Sequence, residues 1–558
     1  LNSFLACSSG GRTHRLLFLR FVGMGHGRMR NLMLASFLVF ISAFGVCAQH
    51  GYKNYSGYQI FQLEPRTRSH LHDIGRLDEQ LGFEVDVLRG VNSLGTHSEI
   101  LVPPTRRKRI AAFLNAHQLP FTVPVPDVGA IIARSRREAE PRFSGGEFDP
   151  FNYYSYDDQI KYIESVAKRR YAFVKLDTLG ESFEKRPIKY LKIGFPNRLF
   201  KPILLIDAGI HAREWIAPAM ALYIIHELTN NQKYERLLTA IDIYVIPNLN
   251  PDGYEFSRHR DRLWRKTRSG PRQGSKGQCW GVDGNRNFPY FYAFDGTSKD
   301  PCSEIYRGED ALSEPEAKAL ARFMEEHKVT LRAYLTLHSY GGNILYPWGY
   351  KTKTYPKDVE DLIWAGKRMA DALYMVSRTK YKVDNAADGL YPAAGASDDF
   401  AKSLEIKYTF TMELRPTEKE SLATKGFELP VSEIKPTVTE AMEAVLELAY
   451  IVDQDPRGVT FRTRERVGQW PLRPSATSAR PVSPSFSRPP PPRAPPPPRA
   501  LSRTTLPLPV SSPSLTTSVP HSGSVSTSRV TLAMRRRRPG SRRPRLLRTH
   551  RHRPSPTP

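Results

Sequence analysis

His211 and Glu214 stand three residues apart, just after the apolar run Leu204–Asp207 and the small-residue turn Ala208-Gly209. Residues at that spacing on one turn point to the same side. An imidazole and a carboxylate are thus aimed together from the end of a predicted strand. Zinc takes both ligand types, and a catalytic zinc site uses three protein ligands plus water. The same spacing also suits a turn histidine beside a helix-capping glutamate, so the rest of the chain must decide. His338 closes the predicted strand Leu331–Leu337 and can meet the pair at a sheet edge. Glu413 closes another, Tyr408–Met412. A carboxylate in so apolar a setting is costly unless it has a partner or a task. Metal-assisted hydrolysis is the chemistry these four residues suit.

The elements that must position them alternate. Residues 150–454 show strand patterns at Ala172–Leu176, Ile188–Ile193, Ile203–Ala208, Ile241–Ile246, Leu331–Leu337 and Tyr408–Met412. Helical patterns fall at Tyr156–Lys168, Ala217–Leu228, Glu314–Glu326, Val359–Val376 and Val438–Tyr450. This order predicts an α/β domain with helices on both faces of a mixed, mostly parallel sheet. Ligands of such sheets gather beyond the strand C-termini, where His211 lies. Residues 49–130 read as a small α+β domain without catalytic-looking clusters. Its strands are Tyr58–Leu63, Phe83–Leu88 and Ser98–Pro103, and its helices Leu71–Leu81 and Thr105–His117. The polar run Ala133–Glu138 reads as a connector and as a processing site for a trypsin-like protease. Arg134, Arg136, Arg137 and Arg142 are the candidate cut positions.

A length of 558 residues predicts more than one domain. The net charge of +26 is uneven. From Arg457 onward there are 21 Arg, no Lys and one acid, so the folded part is nearly balanced. That tail, residues 456–558, is rich in Pro, Ser and Arg and reads as disordered. Its arginine bias suggests readthrough of non-coding sequence, with polyanion binding as the alternative. No specific nucleic-acid partner is expected of the folded part. Met29 and Arg30, the apolar Leu32–Phe44 and the small residues up to Ala48 read as a signal peptide over 29–48. Residues 1–28 are then extraneous, and the protein is expected to be secreted. No stretch reaches the length of a membrane span. Secretion makes Asn54-Tyr55-Ser56 a glycosylation sequon. It also makes Cys279 and Cys302 a disulfide, the other two cysteines (Cys7, Cys47) preceding the mature chain; free thiols are the alternative.

Several further motifs stand in order: Asn248–Tyr254, Arg262–Arg268, Gly281–Asn287, Leu335–Tyr340, Gly389–Asp399 and Phe410–Arg415. With His211–Glu214 they resemble the secreted zinc carboxypeptidases of the pancreatic A/B type, the B type most of all, including their proenzyme layout. The resemblance implies an activation domain with its linker over 49–137 and a zinc carboxypeptidase domain over 138–455. It implies one Zn2+ held by His211, Glu214 and His338, with Asp283 behind His211. Glu413 becomes the general base and Arg265 the oxyanion donor, although a dense basic run such as Arg262–Arg268 is more often a solvated loop. Asn285 and Arg286 would hold the substrate's terminal carboxylate, for which an arginine fork is suited. Tyr391 would close over the substrate, while Arg213 and Tyr340 line the cleft. Asp398 would lie at the foot of the pocket for the departing residue, so Lys or Arg should be removed. Strand-like alternation would bury only one of Asp398 and Asp399. Substrates would be peptide C-termini, the activator a trypsin-like protease, and the enzyme a monomer. The alternatives are an A-type or broad preference, a related zinc amide hydrolase, or a silent binding protein of this fold.

Overall fold

The computed structural model describes residues 51–454, apart from 83–84, 138–146, 198–200, 418–419 and 421–425. The expected signal peptide, the residues before it, the tail and Arg142 lie outside the described residues.

Alternating apolar residues build the small N-terminal domain. Its strands are β1 (Gln59–Leu63), β2 (Asp86–Arg89), β3 (Ser98–Val102) and β4 (Phe121–Val125), in the order β2-β3-β1-β4. The pairings are antiparallel. Leu63, Ile100 and Val102 face a core shared with Ile74, Ile110 and Leu114 of the helices Arg68–Gly75 and Arg107–Ala116. Thr67 caps the first helix by accepting the His70 N–H at 3.2 Å. One reading needs correction. Ala133–Arg137, the described part of the run taken as a connector, is the second half of a helix, Val128–Arg137. Val128 and Ile132, one turn apart, are buried against Tyr55, Leu101 and Val125. That apolar stripe belongs with the basic residues that follow it. Arg134, Arg136 and Arg137 therefore stand in a helix.

Among the described residues the main sheet of the second domain has eight strands: β5 (Val174–Glu181), β6 (Pro187–Ile193), β7 (Ile203–Ala208), β8 (Asp242–Ile246), β11 (Leu331–Gly341), β12 (Asn343–Tyr346), β13 (Lys382–Asn385) and β14 (Tyr408–Thr417). A separate hairpin pairs β9 (Arg272–Gly274) with β10 (Gly277–Cys279). The sheet order is β13-β12-β14-β11-β7-β8-β6-β5. Its centre, β14-β11-β7-β8, is parallel, while β12 on β14, β6 on β8 and β5 on β6 are antiparallel. β7 is buried along its whole length, as a strand covered on both faces must be. Leu204, Ile206 and Ala208 meet the helices Ile216–Asn230, Val359–Ser377 and Ile434–Gln454. Ile203 and Leu205 meet the opposite layer, which includes Pro315–His327 and Ser397–Ser403. The expected sheet, with helices on both faces, is present. Cys279 and Cys302 form a disulfide.

The central strands differ in length, and this makes the crevice. β7 stops at Ala208, opposite Leu337. β11 and β14 run on beyond the ends expected for them, still paired with each other. His338 is thus the first β11 residue past the end of β7.

Candidate active site

Chain reversal after β7 brings His211 and Glu214 to that crevice. Gly209 makes the turn with φ of +72°, and a Cβ there would lie 2.9 Å from Asn248 Oδ1 and 3.1 Å from Pro218 Cγ. Glu214 comes just before the helix Ile216–Asn230, whose N-terminus favours a negative charge. The ligand atoms of His211, Glu214 and His338 all lie within 4.8 Å of one another. His211 Nδ1 is 2.7 Å from Glu214 Oε1, and His338 Nδ1 is 3.1 Å from Glu214 Oε2. The two Nδ1 atoms are 3.2 Å apart.

Two imidazole nitrogens and a carboxylate converging on one buried point need positive charge between them. The titration behaviour of the cluster says the same. Burial opposes a charged His338, yet the Glu214 carboxylate lifts it to about 9. Burial, then Arg265, lowers His211. Burial opposes the Glu214 charge, but the two imidazoles hold its carboxyl well below the usual range. A proton on His338 satisfies part of the cluster; a divalent cation satisfies all of it. The donor set therefore fits zinc, with a coordination position left for water. The outer edge of His211 fits too, since its Nε2 lies 3.2 Å from Asp283 Oδ1. A proton held there leaves the Nδ1 lone pair for the metal.

Asp283 also holds Arg265, whose Nε and Nη2 both donate to Oδ2 at 3.0 Å. Arg265 Nη1 lies 3.9 Å from Glu214. The basic run around it is buried, not solvated, because each cation has a partner. Arg262 pairs with Glu428 and lies over the Trp215 ring, and Lys266 donates to the Pro301 and Ser303 carbonyls. Glu413 faces His338 across the β11–β14 pair. Its Oε2 is buried with no hydrogen-bond partner among the described residues. Burial pushes this carboxyl up to about 8, against the pull of His338.

A single helical turn, Gly284–Arg286, presents Asn285 and Arg286. Arg286 is fixed by the Gly296 carbonyl at 2.8 Å and the Asn285 carbonyl at 2.9 Å, and its buried Nη2 has no partner among the described residues. Asn285 Oδ1 accepts the Ser397 N–H at 2.9 Å, tying this turn to the helix Ser397–Ser403, whose first turn carries Asp398 and Asp399. Both acids are buried, at 3% and 0% exposure. The expectation of one buried and one exposed acid fails because they occupy a helix turn, not a strand. Asp399 accepts the Gly349 and Tyr350 N–H groups at 2.7 and 2.8 Å and so anchors a loop. Asp398 accepts from Thr411 Oγ1 at 2.9 Å.

The remaining site residues face the N-terminal domain. Arg213 donates to Asp86 at 2.5 Å, and the Tyr340 hydroxyl to Glu99 at 2.5 Å. Tyr391 has the Arg286 guanidinium 5.9 Å from its ring and rests on Gly90, where a Cβ would come within 2.6 Å of the ring. Lys53 and Tyr55 bind Asp261. A cavity of about 700 Å3 remains between the domains, lined by Asp86, Arg213, Arg265, Glu304 and Tyr391 among others. The small domain thus does carry site contacts, which its sequence did not suggest. Asp86 and Glu99 are polar positions in strands, and that is the only signal they gave.

The sequence matches the zinc carboxypeptidase family over residues 159–444 and the carboxypeptidase activation peptide over 61–135. It is 34% identical to mouse carboxypeptidase A4, covering 71% of this chain and 93% of that protein. It is also 34% identical to human carboxypeptidase B2, covering 75% and 99%. The crystal structure of carboxypeptidase A from Helicoverpa armigera matches with a TM-score of 0.67 at 27% identity, over 72% of this chain and 99% of that one. The metal cluster, the long central strands and the domain that covers them thus belong to a zinc metallocarboxypeptidase of the family that carries an activation peptide, and the chain is a member of it.

Proposed function

We propose that this protein is a secreted zymogen whose enzyme domain removes C-terminal Lys or Arg from peptides. The observation that carries the specificity is Asp398. It is a buried carboxylate with no Lys or Arg partner among the described residues, one residue from the Ser397 N–H that binds Asn285. A buried carboxylate without a cation is unfavourable, and a basic substrate side chain supplies one. Overall identity does not choose between A and B types, since relatives of both names match at 34%. Secretion rests on the signal-like segment 29–48 and on the activation peptide. Among the described residues no helix is long and apolar enough to cross a membrane.

His211, Glu214 and His338 would hold zinc, which would supply Lewis acidity toward the scissile carbonyl and water. Arg286 and Asn285 hold the terminal carboxylate, Arg286 with the Nη2 that has no partner among the described residues. Tyr391 closes over the bound residue, while Arg213 and Tyr340 contact residues further upstream once the activation domain has gone. Glu413, buried and unpaired at Oε2, takes the proton of the attacking water and passes it to the leaving amine. Arg265, held by Asp283, donates to the developing oxyanion.

The test is direct. The secreted protein is treated with trypsin and offered matched peptides ending in Arg, Lys, Leu or Phe. Release of Arg and Lys, abolished by a chelator and restored by zinc, is expected. Release of Leu and Phe but not Arg or Lys would overturn the basic preference and leave the family intact.

A further inference from the structure

Asp207 is a buried acid without an evident task. It ends the apolar run of β7 at 0% exposure and pairs with no Lys or Arg among the described residues; the buried Tyr334 hydroxyl lies near it, but its Oδ1 makes no hydrogen bond there. Burying such a group is costly, and Leu204–Ala208 would form a strand without it. The register of the sheet shows what it faces. β7 and β11 align Asp207 with Thr336, and Thr336 Oγ1 lies 3.3 Å from Asp207 Oδ2. Residues two apart on a strand share a face, so Thr336 also lies beside His338, with Oγ1 3.1 Å from Nε2.

We propose that Thr336 and Asp207 are positioning residues for His338, forming a one-way hydrogen-bond relay that holds the ring with Nδ1 toward the metal. The inference rests on reading His338 as a metal ligand. A ring that offers its Nδ1 lone pair carries its proton on Nε2. That N–H donates to Thr336 Oγ1. The hydroxyl has a single proton, and Asp207 Oδ2 takes it. Each bond therefore fixes the direction of the other. A carboxylate fits this place because it only accepts. Threonine fits because its branched Cβ restricts χ1 and so holds Oγ1 in place between the two partners. The two metal histidines are thus held differently: His211 directly by Asp283, His338 through a hydroxyl. The sheet register, not a loop, sets the second arrangement.

The test measures zinc affinity of the full chain by competition with a chromophoric chelator. It also records the visible spectrum of the cobalt-substituted protein. Thr336→Val keeps the shape and removes the hydroxyl. It is expected to weaken zinc roughly 10–100-fold, the range seen when such supporting groups are lost, and to alter the cobalt spectrum. Thr336→Ser should return both readouts close to the parent, which recovery of shape alone would not do. Asp207→Asn should fall between, because its amide oxygen still accepts but carries no charge. This variant also carries the test if Thr336→Val does not fold. Parental zinc affinity in both Thr336→Val and Asp207→Asn, with binding lost in His338→Ala, would overturn the relay alone. Parental affinity in His338→Ala would instead overturn the ligand assignment beneath it.

Discussion

In the proposed mechanism, Glu413 and Asp398 divide the chemistry between a proton and a choice of substrate. Glu413→Gln keeps the shape and removes the base. Its kcat on an Arg-terminated peptide should fall by roughly 100- to 10,000-fold, the usual worth of a positioned proton-transfer group, with zinc content unchanged. Turnover near the parental rate would remove Glu413 from the role. Asp398→Ser should lose selectivity rather than catalysis. Breaking a buried charge pair costs about 3–5 kcal/mol, so kcat/KM for Arg should drop at least a hundredfold while that for Leu holds or rises. The metal cluster was legible because few residue types ligate zinc and their spacing is short. Arg265 was harder to read, because a basic run says nothing about burial until its carboxylates are found. Asp283 lies 18 positions away from it, and Glu428 lies far beyond Arg262. Asp399 was hidden for another reason: its partners are backbone N–H groups of residues 349 and 350, which no side-chain pattern announces.

Among the elements, the helix Pro315–His327 carries a pH-sensitive liability. Glu316 in its first turn accepts the Phe183 N–H at 3.0 Å with one oxygen, while its other oxygen is buried without a partner among the described residues. Burial pushes its carboxyl from 4.5 up to about 8. Between these values the unfolded chain binds fewer protons than the folded one, so stability must fall as pH rises across that window. Glu316→Gln should flatten the decline. Melting temperatures of both proteins between pH 5 and pH 8 check this, and parallel curves would refute it. Long, fully buried strands such as β7 were readable, as were the amphipathic helices. β12, β13 and β4 were not: β12 and β13 have four residues each, and β4 holds Pro124, which argues against a strand. The helix Val128–Arg137 was missed because only its basic end was read, as a connector, and its short apolar stripe was not joined to it.

The whole molecule adds what neither domain has alone. Asp86 and Glu99 occupy Arg213 and Tyr340, so under the substrate contacts proposed for that pair the activation domain sits in the place of upstream substrate residues. Removing one partner of such a charge pair costs about 2–5 kcal/mol. Asp86→Ala should therefore raise the activity of the uncut zymogen on a short peptide by roughly tenfold or more, without changing the activity of the trypsin-treated enzyme. Unchanged zymogen activity would show that the domain is held by its apolar seam around Leu101, Val128 and Phe427 instead.

The Asp86–Arg213 contact has a further consequence for activation. Before cleavage the strand that carries Asp86 is tethered to its target, and its effective concentration is that of a short linker, in the millimolar range. Cutting the linker changes none of the contacts. It turns an intramolecular closure into an ordinary two-body equilibrium governed by mass action. Activation then needs two events, a cut and a dilution, and the full rate should appear sooner at low protein concentration than at high.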